Sequence, residues 1–421
     1  MRARPWAGHL AVALVATGCK GSQASSAGGA DAAEEAGPPA EASAIASRCR
    51  PGAPGPNGGS LGDAVVGDAV VSGRGGIAVG MVHAVASADA SRATTAAVAL
   101  LAPVGAAVRV VDLGATPADA PAPRLAWRAA DADELVALAS TSSTELALYG
   151  VGANGAVKPG RRIPVGELGA SDVAVGGGAV VVVWEASVAE WHVAPRGVVR
   201  ALSLEDDGRT VATRDLSSHD VDAEDPRVVA GGTGYFAVWT AGAPLSLPSP
   251  AQLVDASAAE GVSEARAARW LEGVVLDAHG APASPVRRLT SAGRVTSFDV
   301  GASAGTAALI VARIEGEPGI GHHAAVERVR LSADGTFDPS ITVTSELGTG
   351  APSVVRGAAA WLSWWGPDEE VVMMPAGAAP SGEDVFAESR PLASVGETTV
   401  LAAFPASADA GAELRFFACQ R

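Results

Sequence analysis

Across 421 residues, 46 acidic side chains stand against 30 basic ones, a net charge of −16 at pH 7. A chain this acidic is repelled by nucleic acid and by anionic lipid headgroups, so neither is expected as a binding partner. With aromatics at only 4% and Ala and Gly abundant throughout, any core must be built mainly from small and β-branched side chains.

Residues 1–18 carry Arg2 and Arg4 ahead of an apolar run from His9 to Val15, a stretch too short to cross a bilayer. It ends in Ala16-Thr17-Gly18-Cys19, which resembles the bacterial lipobox, although Ala16 stands where that pattern prefers Leu. The resemblance implies cleavage before Cys19, lipidation of its thiol, and a protein held at the membrane by acyl chains at about 0.8 kcal/mol per buried CH₂. Residues 19–48 are dominated by Ala, Gly, Ser, Glu and Pro and cannot bury enough surface to offset their ordering entropy. They read as a disordered tether reaching on the order of 30 Å. Lys20 after the lipidated residue is not the Asp tied to inner-membrane retention, so the outer membrane is the expected location.

With Cys19 taken by lipid, Cys49 and Cys419 remain, and outside the cytoplasm they are expected to form one disulfide. Such a bond would bring the two ends of the 49–421 domain together.

Within that domain one unit recurs about every 53 residues: a Gly turn, an apolar run ending in a bulky residue, a loop, then two β-rich runs around a second Gly turn. The first half is clearest in GGGAVVVVWEAS, GGTGYFAVWTAG, GAAAWLSWWGPD and VGETTVLAAFPAS, which place Trp184, Trp239, Trp365 and Phe404 in one column. Weaker copies put His83, Ala139 and Ala312 there. The Trp residues of this column are expected to fill the gap between neighbouring sheets, whereas Trp270 and Trp361 fall off it. The second half repeats with turns at Asn154-Gly155, Asp207-Gly208, His279-Gly280 and Asp334-Gly335, where Gly supplies a positive φ. Six units are complete. The seventh lacks its last strand, which the segment after Cys49, including GDAVVGDAVVSG at 62–73, is expected to supply.

These repeats predict an all-β fold, a seven-bladed β-propeller closed by an N-terminal strand, with tandem β-sandwiches as the alternative. The chain resembles the β-propeller repeat lipoproteins of bacteria over about 63–421. It lacks the Gly-His and Trp-Asp pairing of WD40 blades, the aspartate-box spacing of sialidases and the aromatic spacing of kelch repeats, so no single family is assigned.

No Ser-x-x-Lys pair or HExxH motif is present, and no catalytic residue, metal or cofactor is assigned. Trp191 beside His192, in a loop after a strand, is the exposed aromatic expected to meet a ligand. His322 and His323 would face opposite sides of a strand, which argues against joint ligation. The run His219–Pro226 is the best ion candidate, with Asp220, Asp222 and Asp225 as oxygen donors suited to calcium. It lacks the Gly and distal Glu of an EF-hand, which favours a solvated loop. The 241–268 segment lengthens the fourth repeat with Ala, Pro and Ser and reads as disorder or a loose cover. The expected role is that of a monomeric binding or scaffolding module for an envelope protein or glycan. A propeller-fold glycoside hydrolase or lyase and a structural envelope protein are the alternatives.

Overall fold

The computed structural model describes residues 49–51, 60–72, 75–86, 92–101, 108–128, 134–188, 196–205, 208–232, 234–244, 268–290, 293–303, 306–316, 324–332, 335–345, 350–357, 360–366, 371–376, 384–386, 390–395, 399–405 and 412–419. The leader, Cys19 and the tether, Trp191 with His192, His322 with His323, and most of the 241–268 segment lie outside the described residues.

The fold is all-β and propeller-like. After β1 (Cys49–Pro51) the strands pair in successive antiparallel meanders. The first is β2 (Ala64–Val71), β3 (Ile77–Ala86), β4 (Arg92–Leu101) and β5 (Arg109–Thr116). The second is β6 (Arg124–Trp127), β7 (Glu134–Ser142) and β8 (Glu145–Gly152), edged by β9 (Val157–Lys158) and β10 (Arg162–Pro164). The third runs β11 (Leu168–Gly176), β12 (Ala179–Val188), β13 (Arg196–Glu205), β14 (Thr210–Asp215). The fourth runs β15 (Asp222–Gly231), β16 (Gly234–Gly242), β17 (Arg269–Leu276), β18 (Arg287–Arg288). The fifth is β19 (Arg294–Ser303), β20 (Thr306–Glu315), β21 (Ala324–Arg330) and β22 (Ile341–Thr344). The sixth is β23 (Ser353–Gly357), β24 (Trp361–Trp365), β25 (Val371–Pro375) and β26 (Asp384–Phe386). The last joins β27 (Arg390–Ser394), β28 (Thr399–Pro405) and β29 (Ala412–Cys419) to β1.

Strand position within a meander sets its residue pattern. The second strand is covered on both faces, so β12 buries Ala179 through Trp184 in an unbroken run. The outermost β14 is covered on one face only and alternates between half-buried and exposed residues. The hairpins between third and fourth strands turn as the sequence predicts. Gly155, Gly208, Gly280 and Gly335 have φ of 78°, 82°, 71° and 80°. In each, the glycine N–H donates to the carbonyl three residues earlier, at 2.8–2.9 Å. At Gly155 and Gly280, whose turn residues are all described, this is a type I turn closed by a left-handed glycine.

Each meander packs its two faces against its neighbours. One apolar cluster joins the third and fourth through Val181, Val183, Tyr235 and Trp239. Another joins the fourth and fifth through Phe236, Val238, Ile310 and Ala312. Ile77, Val79 and Met81 of the first meander share a cluster with Leu392, Leu401 and Leu414 of the last.

The tryptophan column needs a correction. Trp184 and Trp239 are buried as expected, each facing the preceding meander, but Trp365 is 39% exposed. The buried ring facing the preceding meander from β24 is Trp364, and Trp361, set aside on sequence, is also buried and faces the following one. Successive strand residues point to opposite faces, so a one-residue error in alignment exchanges the faces of the whole run.

The strand beside β29 also differs from expectation in detail. The 62–73 run forms β2, the first strand of the first meander, and it is Cys49–Pro51 that pairs with β29, placing Cys49 opposite Cys419. The two sulfurs are bonded, and the pair is buried with Trp361, Val400 and Phe417.

Candidate functional site

The first strand of each meander carries the chemistry that sequence columns of aromatics did not expose. The first, third and fifth meanders place Asp68, Asp172 and Asp299 on these strands, and the second, fourth and sixth place Arg124, Arg227 and Arg356. Arg124 donates to Asp68. Asp172, 2% exposed, accepts the Val228 N–H at 2.9 Å. Asp299 accepts the Val354 N–H at 2.9 Å and lies 3.3 Å from the Arg356 Nη2, which also donates to Val300 O at 2.7 Å. Arg227 donates to Pro226 O at 3.1 Å and sits 5.9 Å from the Phe298 ring.

The six groups act on one another electrostatically. Burial opposes the charge of Arg356, but Asp299, with Asp68 and Asp172 beyond it, outweighs this and raises its pKa. Arg124 is raised in the same way against burial, by Asp68, Asp172 and Asp299. Arg227 is lowered, first by burial and then by Arg124, with the three aspartates pulling the other way. From the last meander Pro391 and Leu392 reach this group. There Asp68, Asp299, Ser353 and Arg356 line a cavity of about 10 Å³, room for one water.

A second polar group lies between the third and fourth meanders, around the acidic run read as an ion candidate. Asp222 accepts the Gly197 N–H at 2.8 Å and pairs with Arg269 at 3.1 Å. The same Arg269 Nη2 lies 2.9 Å from Glu224. Asp220 stays exposed in the preceding turn with Ser218. Asp225 occupies a bulge at φ 53° and donates its N–H to Glu185 at 3.3 Å. Among the described residues no three His, Cys, Asp or Glu side chains are grouped so as to hold a metal ion.

Glu185 was not singled out on sequence. Burial, then Glu224 and Asp225, pushes its carboxyl up to about 8; burial also raises Glu224, against the pull of Arg269. The ordinary value for Glu185 is 4.5, so between 4.5 and about 8 the folded chain holds a proton that the unfolded chain has released. Stability from this group is therefore full at low pH and lost as pH rises through that window. Urea unfolding should show a free energy that falls from pH 5 to pH 8 more steeply in the native chain than in Glu185→Gln. Parallel profiles would contradict the assignment.

No protein-family description matches the chain, and no curated protein sequence matches it either. Among solved structures it is similar to an acylaminoacyl peptidase of Pyrococcus horikoshii, at TM-score 0.48 and 9% identity over 85% of this chain and 52% of that one. It is also similar to a polysaccharide lyase, ulvan lyase, at TM-score 0.46 and 9% identity over 76% and 80% of the two chains. A third is the WD40 domain of SCAP from fission yeast, at TM-score 0.45 and 10% identity over 89% and 98%. The chain spans about half the length of the peptidase it matches.

Proposed function

We propose that the chain is a lipid-anchored propeller of the bacterial cell envelope, seven meanders closed into a ring by β1, serving as a non-catalytic binding or scaffolding module for a protein or glycan. The anchor rests on the leader and the Ala16–Cys19 signal. Closure is supported by the apolar cluster shared between the first and last meanders and by the Cys49–Cys419 bond beside the β1–β29 pairing.

The observation that carries the non-catalytic reading is the commitment of the inner-strand carboxylates. Asp68 and Asp299 are matched by arginines, and Asp172 is held by a backbone N–H. A glycoside hydrolase instead needs a carboxyl pair free to give and take protons across a substrate-sized gap. The chain, incubated with a panel of neutral and acidic polysaccharides and envelope fragments, should retain ligand without releasing new reducing ends or unsaturated sugars. Release of product would sink this reading.

The alternative, a hydrolase or lyase, is favoured by one feature, Glu185, whose carboxyl keeps its proton at neutral pH as a general acid must. If product is released, its loss in Glu185→Gln would place the chemistry there.

A further inference from the structure

The second and third meanders leave a cleft of about 590 Å³ between them, lined by Glu134, Lys158 and Arg161 on one side and by Glu205 and Gly208 on the other. This volume lies within the range of small-molecule sites, about 300–1,000 Å³. Val136, Leu148, Val180 and Leu204 of the shared core line it. Gly160 lets the chain pass directly against β8, because a Cβ there would fall 0.9 Å from the Leu148 carbonyl oxygen.

Of the five charged side chains among the described residues lining it, three are cations: Arg128, Lys158 and Arg161. Glu134 is bound by both Lys158, at 2.9 Å, and Arg128, at 3.0 Å, and Lys158 above all holds it below its usual range. One carboxylate thus meets two cations. The second lining carboxylate, Glu205, pairs with Arg209 on its own hairpin. Arg161 reaches across the cleft to donate to the Gly208 carbonyl oxygen at 3.1 Å, a neutral acceptor that an anion would outcompete. Lys158 is 76% exposed and is one of two lysines in the chain, the other being Lys20.

We propose that this cleft binds a small organic acid with an aliphatic tail, its carboxylate taken by Lys158 and Arg161 and its tail by the apolar floor. The inference rests on the binding-module reading and adds a site and a ligand class to it. Calorimetric titration of the full chain with hexanoate should show binding, with hexanamide at least about tenfold weaker. Lys158→Gln and Arg161→Gln should each weaken hexanoate by about tenfold, the scale of a hydrogen bond to a charged group. Both replaced side chains are exposed, and circular dichroism checks that the variants keep the native fold.

Equal binding of acid and amide, inorganic phosphate binding as well as hexanoate, no binding at millimolar hexanoate, or no effect of the double variant would each overturn the proposal. The two readings fail separately. Loss of the cleft site with glycan or protein binding intact refutes only this site, whereas cleavage of a polysaccharide refutes the binding module whatever occupies the cleft.

Discussion

Asp299→Ala lowers the free energy of unfolding by about 3 to 5 kcal/mol, the scale of a buried pair broken on one side. The side chain does two things at once: it accepts the Val354 N–H and neutralises Arg356 across the junction of the fifth and sixth meanders. Without it, the Val354 N–H loses its acceptor and the Arg356 guanidinium keeps the Val300 carbonyl but loses its paired carboxylate, Asp68 being the next one acting on it. Arg356→Met added to the alanine variant should recover a large part of the loss, because the pair is removed together and no unmatched charge is left inside. Urea unfolding followed by tryptophan fluorescence gives both numbers. A single-variant cost below about 1 kcal/mol would mean that Asp299 acts as a surface carboxylate does.

Cys419→Ser lowers the unfolding free energy by up to about 6 kcal/mol, an upper figure from the entropy of closing a 370-residue loop. The local effect is as informative as the total. β1 has three residues and among the described strands pairs with β29 alone, so the bond is a main part of what holds it in place. Its loss uncovers one side of Val400, Phe417 and Trp361, which are buried beside the two sulfurs. Hydrogen exchange should therefore quicken first at the β29 amides that pair with Cys49–Pro51, in the reduced protein and the variant alike. Unfolding curves that coincide with and without reductant would exclude this role.

The parts of the fold legible in the sequence are those written in neighbouring residues. The Asn154-Gly155 and His279-Gly280 turns are local, and both glycines adopt the expected positive φ. The tryptophan column is legible in β12 and β16, where each run carries a single tryptophan, but not in Trp361-Leu-Ser-Trp-Trp365, where three tryptophans leave the alignment undetermined by one position. Only the packing of Leu362 and Trp364 against the preceding meander selects between them.

The aspartate and arginine positions were missed for a different reason. Asp172 in a valine-rich strand and Arg227 after Pro226 are unremarkable by themselves, and their meaning lies in contacts more than fifty residues apart in sequence. A trace was available: Asp-Ala-Val-Val, Asp-Val-Ala-Val and Asp-Val-Gly at one set of alternate repeats, and Pro-Arg at Arg124 and Arg227 in the other set. Likewise, the carboxylates from Asp220 to Asp225 look like a donor run until Arg269, brought beside Asp222 and Glu224 by β17, claims two of them.

The order of charges on the first strands has a consequence for how such a chain can lengthen or shorten. Duplicating one charged repeat, or losing one from between two others, would set two carboxylates or two guanidiniums next to each other, whereas gaining or losing an adjacent pair would keep the signs alternating. The unit that can be copied without electrostatic cost is therefore a doublet.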